Sequence, residues 1–367
     1  MYTLRQAIFS FLVMVVPVVA RSAPVEVRRE IHFPDLPGCL TLACDLHMHT
    51  VFSDGLVWPT VRVSEAWREG MDAIAITDHI EYQPHKEDLP TKHNRPYELA
   101  LGAAKAHNLL LIRGAEITRD TPPGHFNAVF LDDVRPLDTP DFLEAIKQAN
   151  QQGAFVFWNH QGWRGEEKGQ WTDVHTAMYQ QKWFHGMEVC NDDEYYPQAH
   201  KWCLEKNLTM LGDSDIHDPD LRQESSSREH RTMNLVFAKE RSLDGVKEAL
   251  KAGRTVVWFK EQLIGREELL QKLFHACVEV VRVASRSKTS LVVEVRNNCP
   301  ADIQLECPGE FRVQELVLPA RTTNLLRIAG VDTKKPVEAK YTARNFLVAP
   351  GKAMQVTLTI PGPEEKR

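Results

Sequence analysis

The chain has 367 residues, of which 44 are lysine or arginine, 50 are aspartate or glutamate and 15 are histidine. With 43% apolar and 26% charged residues it can bury a substantial core, which excludes general disorder. The net charge of −6 disfavours a broad surface for nucleic acid or anionic membranes, because such surfaces require clustered positive charge.

Residues 1–23 are predicted to form a secretory signal peptide. Arg5 precedes an apolar run from Ala7 to Val19, and small residues follow that run. The run is shorter than the roughly 20 residues that a membrane-spanning helix needs, which favours cleavage over anchoring. We therefore expect an exported protein, periplasmic or secreted, without stable membrane insertion after the signal is removed.

Short β-rich apolar runs alternate with helical segments from Leu40 to Phe259. The predicted strands are Thr41–Leu46, Ala73–Thr77, Leu109–Gly114, Phe126–Leu131, Ala154–Trp158, Gly186–Cys190, Thr209–Leu211, Met233–Phe237 and Thr255–Phe259. The helical segments include Thr60–Gly70, Asp141–Gly153, Tyr196–Asn207 and Leu243–Gly253, with a last helix near Gly265–Cys277. Strands that alternate with helices indicate a mostly parallel α/β sheet, and this many repeats favour a closed or nearly closed barrel.

The pattern changes at Val278, where short alternating strands follow one another without helices and are separated by Asn, Pro and Gly turns. This pattern predicts a small all-β sandwich over residues 278–367, after a catalytic barrel over residues 24–277. The sandwich carries few groups suited to chemistry, so we expect it to provide packing or partner contacts.

The seven cysteines do not indicate a thiolate zinc site, because their number is odd and no CxxC occurs. Most are expected to be buried small hydrophobic residues. Cys299 and Cys307 lie close together in the sequence, and the sequence does not decide whether they form a disulfide.

Polar residues recur where the predicted strands end. They are His47, His49, Asp54, Asp78, His79, Glu116, His125, His160, Asp213, Asp215 and His217. Two histidines separated by one residue on an extended chain, as in His47-Met-His49, point to the same side and can bind one ion. Since the carboxyl ends of barrel strands form a single face, these residues predict a metal site there, and the other nine histidines are expected to be ordinary.

These residues resemble the polymerase and histidinol phosphatase (PHP) family of metal-dependent phosphoesterases, over roughly Leu40 to Phe259. The resemblance implies a distorted (β/α)7 barrel that holds up to three metals. The implied ligands are His47, His49 and Asp215 for the first metal, Glu116 as a bridge to the second, His125 and His160 for the second, and Asp54, His79 and His217 for the third. Some family members have histidine where Asp54 stands, and this difference can alter the occupancy or the metal preference of the third site. The segment Thr118–Asn127 is also similar to an exported bacterial branch with a β-rich C-terminal module.

Hydrolysis of a phosphoester requires charge neutralisation and an activated nucleophile, and two metals about 4 Å apart provide both, with a hydroxide bridging them. Mixed histidine and carboxylate ligands suit manganese, zinc or iron better than calcium or magnesium. Besides Glu116 and Asp215, the residues predicted to act in catalysis are Arg119 and Arg164, whose guanidinium groups can bind phosphate. Asp78 and Asp213 are candidates for orienting the ligands, and aromatic residues such as Trp163 for the pocket wall.

We therefore predict a phosphoesterase that acts on small molecules, with two or three metal ions and a slight preference for diesters over monoesters; no nucleic-acid partner is expected. An amidohydrolase-type enzyme acting on amides or lactones is the alternative, since it also begins with HxH. That class places a metal-bridging lysine after a middle strand, where this chain has Glu116. A catalytically silent binding module is the third hypothesis, although such barrels usually lose ligands. A polymerase-associated role fits poorly with a signal peptide.

Overall fold

The structure is a computed structural model that describes residues 26–221, 229–307 and 316–363. The predicted signal peptide lies outside the described residues, so export stays a prediction. Within the described ranges, no helix combines the length and the apolar character needed to cross a membrane.

The N-terminal region is a barrel whose strands are largely buried. Its strands are β1 Leu40–Asp45, β2 Ala73–Ile76, β3 Leu110–Ile117, β4 Phe126–Val129, β5 Phe155–Trp158, β6 Gly186–Asn191, β7 Glu194–Tyr195, β8 Thr209–Asp213, β9 Met233–Ala238, β10 Thr255–Phe259 and β11 Gln262–Gly265. All nine predicted strands are present, and the α/β barrel is confirmed. The sheet is less uniformly parallel than predicted: β1, β2 and β3 pair in parallel, as do β5, β6 and β8, but β4 and β9 run antiparallel to their neighbours. The segment between β3 and β4 contains no crossover helix, which is why β4 returns in the opposite direction.

Helices connect most of these strands. They are α1 Pro59–Arg68, α2 Arg95–Ala106, α3 Phe142–Gln151, α4 Asp173–Gln180, α5 Pro197–Lys206, α6 Leu243–Lys251 and α7 Glu267–Cys277, with a short 3-10 turn at Arg135–Leu137. Local signals set their ends: the Asp141 carboxylate accepts from the backbone N–H groups of the first turn of α3, and Asn207 ends α5 with a left-handed backbone. The predictions missed α2 and α4, because α2 buries only small residues and α4 buries only His175 and Met178.

A side chain completes the closure of the barrel between β8 and β9. Within the described residues, β8 forms a hydrogen-bonded ladder with β6 alone. The Asn234 amide of β9 instead accepts from Gly212 N at 2.9 Å and donates to Gly212 O at 2.9 Å. One amide therefore takes the place of a short ladder, and it holds the end of β8 near that of β1.

The C-terminal region is an all-β sandwich of two sheets. Its strands are β12 Val278–Arg286, β13 Ser290–Asn297, β14 Ile303–Glu306, β15 Leu316–Leu318, β16 Thr323–Ala329, β17 Val337–Ala349 and β18 Lys352–Ile360. One sheet has the order β12-β13-β16, and β14, β15, β17 and β18 form the other. This second sheet continues into the barrel sheet, because β17 pairs in parallel with β11. The sandwich is thus hydrogen-bonded to the edge of the barrel.

All seven cysteines are free in the structure. Cys299 is buried and Cys307 is exposed, so the disulfide that the sequence left open is not formed. The Cys299 thiol lies 3.1 Å from Asn297 Oδ1 and 3.2 Å from Ala301 O, both of which can accept its weak hydrogen bond.

A buried arginine joins the barrel to the loop that follows β8. Arg231 is 1% exposed, and its guanidinium contacts Asp45 Oδ2 at 3.0 Å and Asp220 Oδ2 at 2.8 Å. Both carboxylates are buried, at 0% and 5% residue exposure. Arg231 therefore compensates two interior anions and helps to fix the loop from Ser214 to Asp220.

Replacing this arginine tests how strongly the network holds the fold. Arg231→Met should lower the free energy of unfolding by about 3–5 kcal/mol, because two buried carboxylates lose their partner. The exposed pair of Arg282 with Glu294 provides the control, and Arg282→Met should change the stability by less than about 1 kcal/mol. Urea denaturation measures the free energy of unfolding of both variants, and equal losses would contradict the stabilising role assigned to Arg231.

Candidate metal centre

The structure brings all nine predicted ligand residues together at one end of the barrel. The groups of side chains that could hold a metal ion comprise His47, His49, Asp54, His79, Glu116, His125, His160, Asp215 and His217. Most follow the carboxyl ends of β1, β2, β5 and β8, whereas Glu116 lies within β3. His125 precedes β4, and the antiparallel direction of that strand brings its start to the same face.

The first group of ligand atoms is the most deeply buried. His47 Nε2 and His49 Nε2 lie 3.0 Å apart, and each is 3.2–3.3 Å from Glu116 Oε2. Asp215 Oδ1 lies 3.1 Å from His47 Nε2 and 3.0 Å from His49 Nε2. Four donors at these separations match the edges of a coordination tetrahedron, which are roughly 3.3 Å for metal–ligand bonds of about 2.0 Å.

The second group shares Glu116 with the first. Glu116 Oε1 lies 2.7 Å from His125 Nδ1 and 3.6 Å from His160 Nε2, and Asp215 Oδ2 is 3.8 Å from His160 Nε2. The two oxygens of Glu116 therefore face two different groups of ligands. A carboxylate in this position could bridge two metal ions, which is the role that the family resemblance implies for Glu116.

The third group surrounds the carboxylate of Asp54. Its Oδ1 atom lies 3.3 Å from His217 Nε2, 3.5 Å from His79 Nε2 and 3.7 Å from His49 Nδ1. His49 Nδ1 thus lies near this group as well, although His49 presents its Nε2 atom to the first group. The turn that carries Asp54 requires glycine next, because a Cβ on Gly55 would lie 2.6 Å from the backbone of His49.

Two of the nine residues have left-handed backbones. The φ angle is +23° at His160 and +48° at Asp215. Such conformations cost about 1–3 kcal/mol each and persist only where the surrounding structure holds them. His160 N donates to Glu188 Oε2 at 2.7 Å, and Asp215 N donates to His47 O at 2.9 Å. The strain is therefore maintained by specific hydrogen bonds.

Charge outweighs burial in the pKa values of His47, His79 and Glu116, whereas burial lowers the pKa of His125. Burial would lower the pKa of His47, but the neighbouring Asp215 carboxylate raises it well above its usual value. Burial would also lower the pKa of His79, but the neighbouring Glu116 carboxylate raises it to about 10. The same histidines hold the pKa of the buried Glu116 carboxyl well below its usual range. A divalent cation bound among these atoms would displace the histidine protons.

The pattern of unpaired atoms also fits metal ions. Among the described residues, buried atoms without a hydrogen-bond partner include Asp54 Oδ1, Glu116 Oε1, Asp215 Oδ1, His125 Nδ1 and His160 Nδ1. Buried polar atoms are usually satisfied in folded proteins, so unpaired ligand-type atoms within the cluster are consistent with bound metal ions. Mixed imidazole and carboxylate donors suit divalent transition metals.

Several supporting residues were not predicted. Glu188 of β6 accepts from His47 Nδ1 at 2.8 Å, which places the His47 proton on Nδ1 and leaves Nε2 to face the cluster. Thr118 Oγ1 lies 2.6 Å from His79 Nδ1 and supports that ring in the same way. A signal for Glu188 was present, because a charged residue stands in the middle of a fully buried strand.

The two carboxylates predicted to orient ligands have different roles. Asp78 accepts from Ser53 Oγ at 2.8 Å, and Ser53 Oγ lies 3.2 Å from His49 Nδ1, so Asp78 supports this histidine indirectly. Asp213 instead accepts from Leu46 N at 2.7 Å and from the Asn234 amide. Burial and the nearby Glu188 and Asp45 raise the pKa of Asp213 well above its usual value. Asp213 thus lies in the barrel interior and binds the backbone of Leu46 and the Asn234 amide rather than a ligand histidine.

The predicted arginines both line a cavity beside the cluster, but only one is available for a ligand. Arg119 forms an ion pair with Glu81 and donates to the carbonyl oxygens of Thr118 and Thr139, each at 2.8 Å. The Arg164 guanidinium lies over the Trp163 ring, 4.5 Å from its centroid. Within the described residues, Arg164 has no ion-pair partner.

Two cavities meet at the cluster. The larger has a volume of about 790 Å³ and includes Arg119 and Arg164 in its wall, and the smaller has about 470 Å³ and includes Tyr196 and the acidic segment 192–194. Both are lined by Asp54, His79, His125 and Trp163. Trp158 and Trp171 instead contact each other at the hydrophobic core, with ring centroids 6.2 Å apart.

An α/β barrel with a cluster of histidine and carboxylate ligands at one end is typical of metal-dependent hydrolases, and comparison with known proteins identifies the family. The sequence matches the PHP domain over residues 45–210 and an Ig-like domain over residues 278–359. A two-domain protein from Bacteroides vulgatus, described as containing a predicted PHP-like metal-dependent phosphoesterase, is 45% identical in sequence. The match covers 92% of this chain and 100% of that chain, with a TM-score of 0.86. The chain therefore belongs to the PHP family of metal-dependent phosphoesterases.

Two other solved structures are more distant. A candidate metal-dependent phosphoesterase from Bifidobacterium adolescentis is 17% identical, with 56% of this chain and 95% of that chain covered and a TM-score of 0.41. An amidohydrolase from Chromobacterium violaceum with bound sulfate and no metal is 15% identical, with 48% and 88% covered and a TM-score of 0.36. The comparison with curated proteins gives no match.

The support that Glu188 gives to His47 can be measured directly. Glu188→Gln should lower the affinity for the most tightly held metal by about 10–100-fold, because the anionic partner of the His47 ring is lost. Glu205→Gln, an exposed change on α5, is the matched control and should leave the affinity unchanged. Competition with a chelator measures the metal affinity of both variants, and equal affinities would contradict the proposed support of His47 by Glu188.

Proposed function

We propose that the protein is an exported phosphodiesterase that cleaves small phosphodiesters with two or three divalent transition-metal ions. The observation that supports a diester is the pair of cavities that meet at the cluster. A phosphodiester has an organic group on each side of the phosphorus, and two cavities can accept one group each. Both volumes fall in the range of about 300–1,000 Å³ that is typical of small-molecule sites.

The described residues suggest how the substrate would enter. His47 and Glu116 are fully buried, so they close the inner side of the cluster, whereas Asp54 and His217 keep part of their surface exposed on the cavity side. The phosphate would therefore approach from the side of Trp163, where Arg164 can donate to one of its oxygens. Bound divalent cations would supply charge neutralisation and a more acidic water molecule. Manganese, zinc and iron are the candidate metals, since each accepts mixed imidazole and carboxylate ligands.

The alternative of an amide or lactone hydrolase has less support. The carboxylate of Glu116 occupies the bridging place for which that class uses a lysine. Among the described residues, no lysine lines either cavity beside the cluster. Hydrolysis of an amide or lactone panel without any phosphoester hydrolysis would nevertheless establish the alternative.

Removal of one ligand tests the proposed chemistry. His160→Ala should lower the metal content and reduce the hydrolysis of bis(p-nitrophenyl) phosphate by more than about 100-fold, a larger loss than that for a residue behind a ligand. His107→Ala, at the end of α2, is the control and should behave as the unmodified protein. Mass spectrometry gives the metal content, and p-nitrophenyl phosphate provides the monoester comparison. If metal-loaded protein cleaves neither ester, the proposal is wrong; if it cleaves the monoester faster, the diester preference is wrong.

The role of Arg164 in substrate binding can be tested by removing its side chain. Arg164→Ala should lower kcat/KM for the diester by about tenfold or more, because a charge-assisted hydrogen bond worth roughly 1.5–3 kcal/mol is removed. Arg135→Ala removes an exposed arginine that is already paired with Asp133 and serves as the control. Steady-state kinetics on the metal-loaded proteins provide the comparison. An Arg164→Ala enzyme with unchanged kcat/KM would show that the side chain does not bind substrate.

A further inference from the structure

One histidine outside the cluster lies against the loop that presents His125. His175 belongs to α4, has no exposed surface and stacks on Trp158 with ring centroids 3.9 Å apart and an interplanar angle of 15°. The sequence offered no reason to distinguish it from the other histidines that are not ligands. Its two ring nitrogens have different partners in the structure, and these partners determine its chemistry.

The neighbours of His175 select one neutral tautomer. Thr172 N donates to His175 Nδ1 at 3.0 Å, so Nδ1 carries a lone pair and the ring proton resides on Nε2. His175 Nε2 then donates to Pro123 O at 2.8 Å. Burial lowers the pKa of His175 to about 4, which keeps the ring neutral near pH 7. The ring is therefore a fixed donor aimed at one carbonyl oxygen.

That carbonyl belongs to the loop between β3 and β4, in which Gly124 N donates to Asp120 O at 3.1 Å and Asn159 N donates to His125 O at 3.0 Å. Pro122 and Pro123 have no N–H groups, so neither can anchor the segment between β3 and β4 by donating a hydrogen bond. Gly124 has a φ angle of +91°, and a Cβ there would lie 2.9 Å from Trp158 Nε1. The next residue is His125, whose Nδ1 lies 2.7 Å from Glu116 Oε1. The His175 ring thus holds the loop two residues before a ligand.

We propose that His175 is a positioning residue for His125. By holding the Pro123 carbonyl, the neutral His175 ring sets the direction in which the chain enters β4 and keeps the His125 ring facing Glu116. The consequence is a higher affinity for the metal between Glu116, His125 and His160. This inference rests on the proposed metal-dependent function, but the anchoring itself does not require a metal.

Two variants of similar size separate the hydrogen bond from simple packing. His175→Gln keeps a donor where Nε2 stands, whereas His175→Met fills the same space without one. We expect His175→Met to weaken binding of one metal equivalent by about tenfold or more, and His175→Gln to stay within about threefold of the unmodified protein. Titration with Mn²⁺ and with Zn²⁺, followed by mass spectrometry of the retained metal, gives these affinities.

His185→Met is the matched control. His185 also stacks on an aromatic ring, that of Phe155, and accepts from a backbone N–H, that of Val156. Burial likewise lowers its pKa to about 4. It precedes β6 and therefore lies at the end of the barrel opposite the cluster. This variant should lose stability to a similar extent as His175→Met but keep the affinity for metals.

Hydrogen exchange in the metal-free proteins tests the anchoring without reference to function. The backbone N–H groups of His125 and Phe126 should exchange faster in His175→Met than in the unmodified protein, and should be unaffected in His185→Met. If His175→Met matches the unmodified protein in exchange and metal affinity, or if the Gln and Met variants are equal, the inference is wrong. If the unmodified protein binds no metal, the proposed function fails instead, and the exchange result still decides the anchoring.

Discussion

The site depends on one fully buried carboxylate that five histidines approach. Glu116 Oε2 faces His47, His49 and His79, and Oε1 faces His125 and His160. An isolated anion in a protein interior is strongly unfavourable unless positive groups or metals surround it. The histidines must therefore converge on β3 from strands that are distant in sequence. This requirement explains why so much buried polar structure lies at one end of the barrel.

A second set of buried contacts keeps those histidines in place. The loop after β8 carries Asp215 and His217 without regular secondary structure, and two buried arginines hold it. Arg62 donates to His217 O at 2.5 Å and to Asp218 O at 2.8 Å, while Arg231 contacts Asp220. Loops supported in this way can present ligands accurately although they have no ladder of their own. His175 is proposed to act in the same way, because it donates a hydrogen bond to a loop carbonyl, but its ring is neutral whereas the arginines are cations.

Much of the fold could be predicted because the barrel strands are short, continuous apolar runs. The direction of the strands was harder to predict, since the antiparallel strands β4 and β9 are as apolar as the strands that pair in parallel and nothing local reports orientation. Helix α2 was missed because its buried face consists of Pro96, Ala100 and Ala104, which give a weak apolar period. The pairing of β17 with β11 joins residues far apart in the chain, and such register is invisible in a local pattern.

The sequence by itself determined that histidines and carboxylates recur at the ends of successive strands, and the family resemblance selected nine of them as candidate ligands. Only the tertiary structure decided which atoms share a site. It placed His49 between two groups of ligands, assigned Glu188 to His47, paired Arg119 with Glu81 and left Arg164 available to a ligand. The physical reason is that ligand types are local properties of residues. Hydrogen-bond partners, burial and charge balance arise only when distant segments pack together.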